Sequence, residues 1–153
     1  MSGAGAPKLQ IDASGLQVAI VVTSWHTQIT DGLLAGAERA LKAAGNTEYE
    51  IWRVPGAFEL PLGAQYAIDA GADVVVALGV VIQGDTPHFD YVCSAATDGL
   101  NRVQLDSGVP VGFGLLTVNT EEQALDRAGL PGSREDKGAE AVEAAVLMAR
   151  LRA

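Results

Sequence analysis

The sequence predicts an α/β domain built on a parallel sheet with helices on both faces. Apolar runs of strand length alternate four times with stretches whose apolar residues recur at helical spacing. The run at residues 73–82 is almost continuous Val, Ala, Leu and Ile, as a central strand buried on both faces requires. The chain has 153 residues, 48% hydrophobic and 19% charged, enough for one well-buried domain without a disulfide or metal staple.

Residues 16–23 read as the first strand. A helix follows in which Leu34, Ala37, Leu41 and Ala44 share a face, with Gly45 as its C-terminal cap. Residues 48–54 alternate as a second strand closed by Pro55-Gly56. Leu60, Ala64, Ala67 and Ile68 then mark a helix ending at Gly71, with Pro61 in its first turn, where the missing N–H costs nothing. After the third strand, Phe89, Val92, Cys93, Ala96, Leu100 and Val103 trace a helical stripe. Thr86 is expected as its N-cap and Pro87 as its first residue. The fourth strand, residues 109–117, carries Gly112 and Gly114, which predict a close backbone approach at its far end. Thr120-Glu121-Glu122-Gln123 reads as a capping box opening a short helix that stops near Gly129. A polar turn at 130–136 leads to a last helix with Ala139, Val142, Val146 and Ala149 inward. Residues 1–15 have no periodicity and are expected to be a flexible segment, with residues 16–153 the single folded domain.

Ten Lys and Arg against nineteen Asp and Glu give a net charge of −9, which disfavours nucleic acid and anionic membrane as partners. An anionic ligand then needs a local cation. The longest apolar stretch, 74–82, is far short of the roughly 20 residues of a membrane span, and the N-terminus does not read as a secretory signal. One cysteine, Cys93, excludes an intrachain disulfide and fits a reducing cytoplasm. With His26 and His88 it makes no zinc spacing, so no metal is expected.

In an open parallel sheet, ligands bind beyond the carboxyl ends of the strands, which directs attention to four loops. Trp25 after the first strand could stack on a planar heterocycle or pack under its loop. Phe58 has the same two readings. Glu59 is either a hydroxyl acceptor or a first-turn acid favoured by the helix dipole, and spacing favours the dipole. Gly84-Asp85-Thr86 offers backbone N–H groups at a positive helix end, a possible phosphate site that the Asp85 carboxylate weakens. His88, in the first turn of the third helix, is either structural or a proton carrier near neutral pH. Arg127 is either a phosphate ligand or a partner of its own helix's carbonyls. These readings describe a site for an aromatic, phosphate-bearing ligand and name no reaction.

Four blocks then carry a resemblance: Val54-Pro55-Gly56-Ala57-Phe58-Glu59-Leu60-Pro61, Gly79-Val80-Val81-Ile82-Gln83-Gly84-Asp85-Thr86-Pro87-His88-Phe89-Asp90-Tyr91-Val92, Phe113-Gly114-Leu115-Leu116-Thr117 and Glu122-Gln123-Ala124-Leu125-Asp126-Arg127-Ala128-Gly129. In this order and spacing, from about Val18 to the C-terminus, the chain closely resembles the lumazine synthases of riboflavin biosynthesis. The resemblance implies a flavodoxin-like three-layer α/β/α sandwich with a four-stranded parallel sheet. It implies a homopentamer with sites between adjacent subunits, and condensation of 5-amino-6-(D-ribitylamino)uracil with 3,4-dihydroxy-2-butanone 4-phosphate, without cofactor. Trp25 is implied to stack on the pyrimidine, with Ala57, Phe58, Glu59, Val80, Val81 and Ile82 lining the pyrimidine and ribityl pocket. Phe113 of the neighbour is implied to close it. Asp85, Thr86 and the neighbour's Arg127 are implied to hold the phosphate, and His88 to shuttle protons. Gln83 stands where many members carry Arg or Lys. The 130–136 turn appears longer than that of members forming sixty-subunit shells, which favours a free pentamer. The rival readings are an archaeal-type riboflavin synthase, which needs no phosphate site, and a non-catalytic flavin or lumazine carrier or shell protein.

Overall fold

The computed structural model describes residue 5 and residues 10–152. Four strands, β1 (Val18–Thr23), β2 (Glu50–Val54), β3 (Val74–Ile82) and β4 (Val111–Val118), form one parallel sheet in the order β2-β1-β3-β4. Helices α1 (Thr27–Ala43), α2 (Leu60–Asp69), α3 (His88–Ser107), α4 (Glu121–Leu125) and α5 (Lys137–Arg152) connect and cover it. This is the three-layer α/β arrangement of the flavodoxin-like fold. Strand order reverses between β1 and β3, the switch point at which a crevice opens beyond the carboxyl ends.

Side-chain alternation along the strands separates two cores. Ile20, Val22, Val76 and Leu78 face α1 and α5 with Leu33, Leu41, Val142 and Val146, whereas Ala19, Val21, Val75 and Ala77 face α2 and α3 with Leu60, Ala64, Ala96 and Leu100. All six residues of β1 are buried, as are the first seven of β3, so these two strands form the centre.

Local signals act as their chemistry dictates. Thr120 Oγ1 accepts from Gln123 N–H (3.2 Å), and the Gln123 side chain accepts from Asn119 N–H (2.7 Å), one residue before the cap. Gly45 and Gly71, just past helix ends, take left-handed φ of 86° and 109°. At α3 the boundary falls one residue later than expected. Pro87 is the cap and His88 the first helical residue, and the Thr86 hydroxyl accepts a long bond from His88 N–H (3.4 Å). The α3 stripe is less buried than its periodicity suggests: only Ala96 and Leu100 are fully covered, and Cys93 is half-buried. In α5 the buried face is Gly138, Ala141, Val142, Ala145 and Val146, with Ala139 and Ala149 only half-covered.

The glycines of β4 serve a different partner from the one expected at the strand's far end. A Cβ on Gly112 would stand 2.3 Å from the Ala141 carbonyl oxygen, and one on Gly114 would stand 2.5 Å from Leu78 Cδ2 and 3.3 Å from Ala141 Cβ. They let α5 approach the sheet. Residues 11–15 also depart from the flexible segment expected there. Ala13 is fully buried and donates to the Ala44 carbonyl (2.9 Å), Asn46 donates its side-chain amide to the Ala13 and Leu16 carbonyls, and Arg150 donates to those of Asp12 and Ser14. Carbonyls that local sequence leaves without partners thus find them on Asn46 after α1 and on Arg150 of α5. The rest of that segment, residues 1–4 and 6–9, lies outside the described residues.

Candidate active site

The carboxyl edge of the sheet gathers most of the singled-out residues. The loop after β1 is tied to the loop after β2: Ser24 N–H donates to the Pro55 carbonyl (3.3 Å) and Ser24 Oγ to that of Val54 (2.9 Å). The Trp25 indole consequently lies across Gly56, where an added Cβ would stand 3.4 Å from its Cδ1 and Nε1. His26, at the N-cap of α1, has φ of 55°, the one positive φ of a non-glycine among the described residues, and its carbonyl accepts from Ile29 and Thr30. Trp25 is 66% exposed and Phe58 65% exposed, so neither packs under its loop. Two open aromatic faces in adjacent loops are a platform for a flat ring.

Ala57, Phe58 and Glu59 form a 3-10 turn that runs directly into α2, an element absent from the sequence reading. Ala57 is buried against the sheet. Glu59 Oε1 accepts from Gly56 N–H (2.9 Å), so this carboxylate caps the turn, in line with the local reading, and fixes the backbone beneath Trp25. Val80 is buried while Val81 and Ile82 are half-buried, which places the end of β3 as the floor. Gln83 N–H closes the sheet on the Val118 carbonyl (2.9 Å). Asp85, Thr86 and His88 then follow in an exposed turn, and nothing lies within 4 Å of the space beside Gly84. His88 is exposed at the positive end of a 20-residue helix, and the strand before it, β3, pairs with β1, whose loop bears Trp25.

Two residues do not join this ledge in the same chain. Phe113 sits mid-strand on the edge strand β4, opposite Ala77 and well back from the carboxyl end, and is 49% exposed. Arg127 follows α4 on the α1 and α5 side, where Ala124 and Ala128 join the core. Its Nη1 donates to the Gln123 carbonyl (2.9 Å) and its Nε lies 3.6 Å from Glu135 Oε2. The helix-partner reading of Arg127 therefore describes its contacts within one chain. Beside it lies an open hollow of about 800 Å³ reached by Gln28, Gln123, Arg127 and Arg134. Among the described residues no group of His, Cys, Asp or Glu is placed to hold a metal ion.

Comparison with known proteins matches the sequence to a family. The sequence model of 6,7-dimethyl-8-ribityllumazine synthase matches residues 15–153. The chain belongs to the 6,7-dimethyl-8-ribityllumazine synthase family. It is similar to the synthase of that name from Kineococcus radiotolerans, 64% identical over 146 residues that cover 95% of this chain and 91% of the relative. It is also similar to that from Leifsonia xyli subsp. xyli, 62% identical over 151 residues covering 97% and 95%. A lumazine synthase is an enzyme, a transferase of the penultimate step of riboflavin biosynthesis, and the chain is assigned to that class. No helix among its described residues is long and apolar enough to cross a membrane.

Sequence reasoning missed three features around these residues. Gly56 provides the space under Trp25, the 3-10 turn positions Phe58, and Glu135 with Lys137 forms an ion-paired group beside Arg127. The charged run Arg134-Glu135-Asp136-Lys137 was the visible signal for the last.

Proposed function

We propose that this chain performs the family's condensation at the carboxyl-edge ledge, with Trp25, Ala57, Phe58, Glu59 and residues 80–82 holding the ribitylaminouracil. The Asp85 and Thr86 backbone and Arg127 hold the phosphate of 3,4-dihydroxy-2-butanone 4-phosphate. Trp25 and Phe58 supply ring faces, and the Glu59 oxygen not used on Gly56 supplies an acceptor for a substrate hydroxyl. Stacking fixes the ring while the phosphate fixes the ketone, so the 5-amino group and the carbonyl carbon meet without diffusive search. His88 takes the proton lost by the attacking amine and returns one to the departing hydroxyl as the imine forms. It then accepts the C–H proton removed as phosphate leaves, and returns it to the second departing hydroxyl as the ring closes with loss of water. The reaction transfers no electrons to the protein.

The observation that carries this reading is the pair of exposed aromatic side chains, Trp25 and Phe58, at the carboxyl edge where His88 opens the helix after the adjoining β3, with Phe113 and Arg127 displaced from them in the same chain. That displacement supports a homopentamer in which a neighbour supplies both residues and covers the exposed rings. The single cysteine supports a cytoplasmic setting. Mixing the purified protein with both substrates tests the reading. Lumazine fluorescence should rise with release of inorganic phosphate, and should require both substrates. Absence of product at saturating concentrations of each would overturn it.

A further inference from the structure

The turn at residues 130–136 supplies more than a connection. We propose that Glu135 is a positioning residue, which holds the Arg127 guanidinium in the orientation that receives the substrate phosphate. The inference rests on the assignment of Arg127 to the phosphate made above.

Arg127 and Glu135 stand on facing arms of a miniature antiparallel ladder. Glu135 N–H donates to the Asp126 carbonyl, Gly129 N–H to that of Glu135 and Lys137 N–H to that of Arg127, each at 3.0 Å, and Ala128 bridges Asp136. The backbone thus sets the separation of the two side chains before they meet. Nη1 is hydrogen-bonded to the Gln123 carbonyl at 2.9 Å, and Nε is ion-paired with Glu135 Oε2 at 3.6 Å. Nη2 makes no hydrogen bond among the described residues and is the nitrogen left to meet an anion. An arginine so fixed gives up less side-chain freedom when the phosphate arrives.

A carboxylate beside a phosphate-binding arginine would ordinarily repel the phosphate. Here the second oxygen, Glu135 Oε1, lies 2.9 Å from Lys137 Nζ, which also lies 3.1 Å from Glu140 Oε1. Signs alternate along Arg127, Glu135, Lys137 and Glu140, so Lys137 offsets the negative charge of Glu135. The side chains of Glu135 and Lys137 are only 13% and 16% exposed, against 33% for Arg127. The group is buried at its anchored end and open at the end that would bind.

The test compares the full-length oligomer with its Glu135→Ala, Glu135→Gln and Arg127→Ala variants, reading KM for each substrate and inhibition by inorganic phosphate. Glu135→Ala should raise KM for the butanone phosphate and weaken phosphate inhibition about two- to fivefold, the size expected of a partly exposed pair that orients the ligand's partner. KM for the pyrimidine should stay within about twofold. Glu135→Gln, whose amide can still accept from Arg127, should fall between Glu135→Ala and the parent. A purely structural role would lower thermal stability without this split between substrates. If Arg127→Ala weakens phosphate binding and Glu135→Ala does not, or if Glu135→Ala affects both substrates alike, Glu135 does not position the arginine. If Arg127→Ala itself leaves the phosphate measurements unchanged, the assignment of Arg127 fails and the inference with it. Should Glu135→Ala not assemble, Glu135→Asp keeps the charge one methylene short and should show the same rise. Unchanged phosphate values in Glu135→Asp would overturn the proposal.

Discussion

His88 is exposed at the first position of α3, so its removal disturbs little packing and its variant reports on chemistry. His88→Ala should lower kcat about 100-fold, the low end for a general acid–base group, because bound amine and ketone can still condense unaided. Unchanged kcat in steady-state assays would remove His88 from the proton path. Glu143 makes the opposite kind of prediction. Burial first, then the neighbouring Glu140 and Asp136 carboxylates, push its carboxyl above the usual 4.5. A raised folded-state pKa means that its ionisation opposes folding: the protonated form is tolerated at low pH, and stability is lost as pH rises through the folded value. Glu143→Gln should therefore raise Tm at pH 7, and the gain should vanish below about pH 4.5, where the carboxyl is protonated folded or unfolded. Equal gains at both pH values in thermal melts would contradict this. Tyr49 shows burial and an anion acting together. Its hydroxyl donates to Glu38, and its pKa is pushed up to about 12 by desolvation and then by that carboxylate, which keeps the pair intact across neutral pH.

Between elements, the tightest fit is α5 on the sheet and on α1. Gly112 faces the Ala141 carbonyl at a would-be Cβ distance of 2.3 Å, and Gly138 faces that of Leu33 at 2.0 Å. Both obstacles are backbone, so no rotamer change relieves them. Gly112→Ala should force α5 away from β4 and cost about 1–3 kcal/mol, as overpacking does. Gly84→Ala, with nothing within 4 Å, is the matched control and should leave the chemical denaturation midpoint nearly unchanged. Similar losses in the two would show that the general effect of replacing a glycine, rather than the α5 contact, sets the value. The same closeness explains why the last helix reads imperfectly in sequence. Small residues at Gly138, Ala141 and Ala145 form its inward face, and their low hydrophobicity hides a face that packs closely.

For the whole molecule, Trp25, Phe58, Tyr91 and Phe113 all stand exposed in a single chain. In the proposed ring, each site takes Trp25 and His88 from one subunit and Phe113 and Arg127 from the next. His88→Ala and Arg127→Ala proteins, each impaired alone, should then regain activity when unfolded together and refolded as mixed rings. Random one-to-one assembly leaves about a quarter of interfaces with both residues intact. Mixed rings of confirmed composition with no gain over separately refolded mutants would place both residues in one subunit's site, or in no common site.

The sequence by itself determined the strands, the helices and the loops that bear the ledge. Those depend on contacts three or four residues apart, on alternation, and on Gly, Pro and Thr at ends, all of which a single string displays. Trp25, Phe58 and His88 could be placed at the carboxyl edge because parallel connectivity puts every post-strand loop there. Only the tertiary structure decided what these residues touch. Whether Trp25 was covered, whether Gly112 made room for a ligand or a helix, and whether residues 11–15 were tethered were all settled by partners dozens of residues away. The same holds for Glu135, whose pairing with Arg127 depends on a ladder that folds the 130–136 turn back on itself. Local periodicity specifies which way a side chain leaves its element. The packing of elements against one another decides what it meets there.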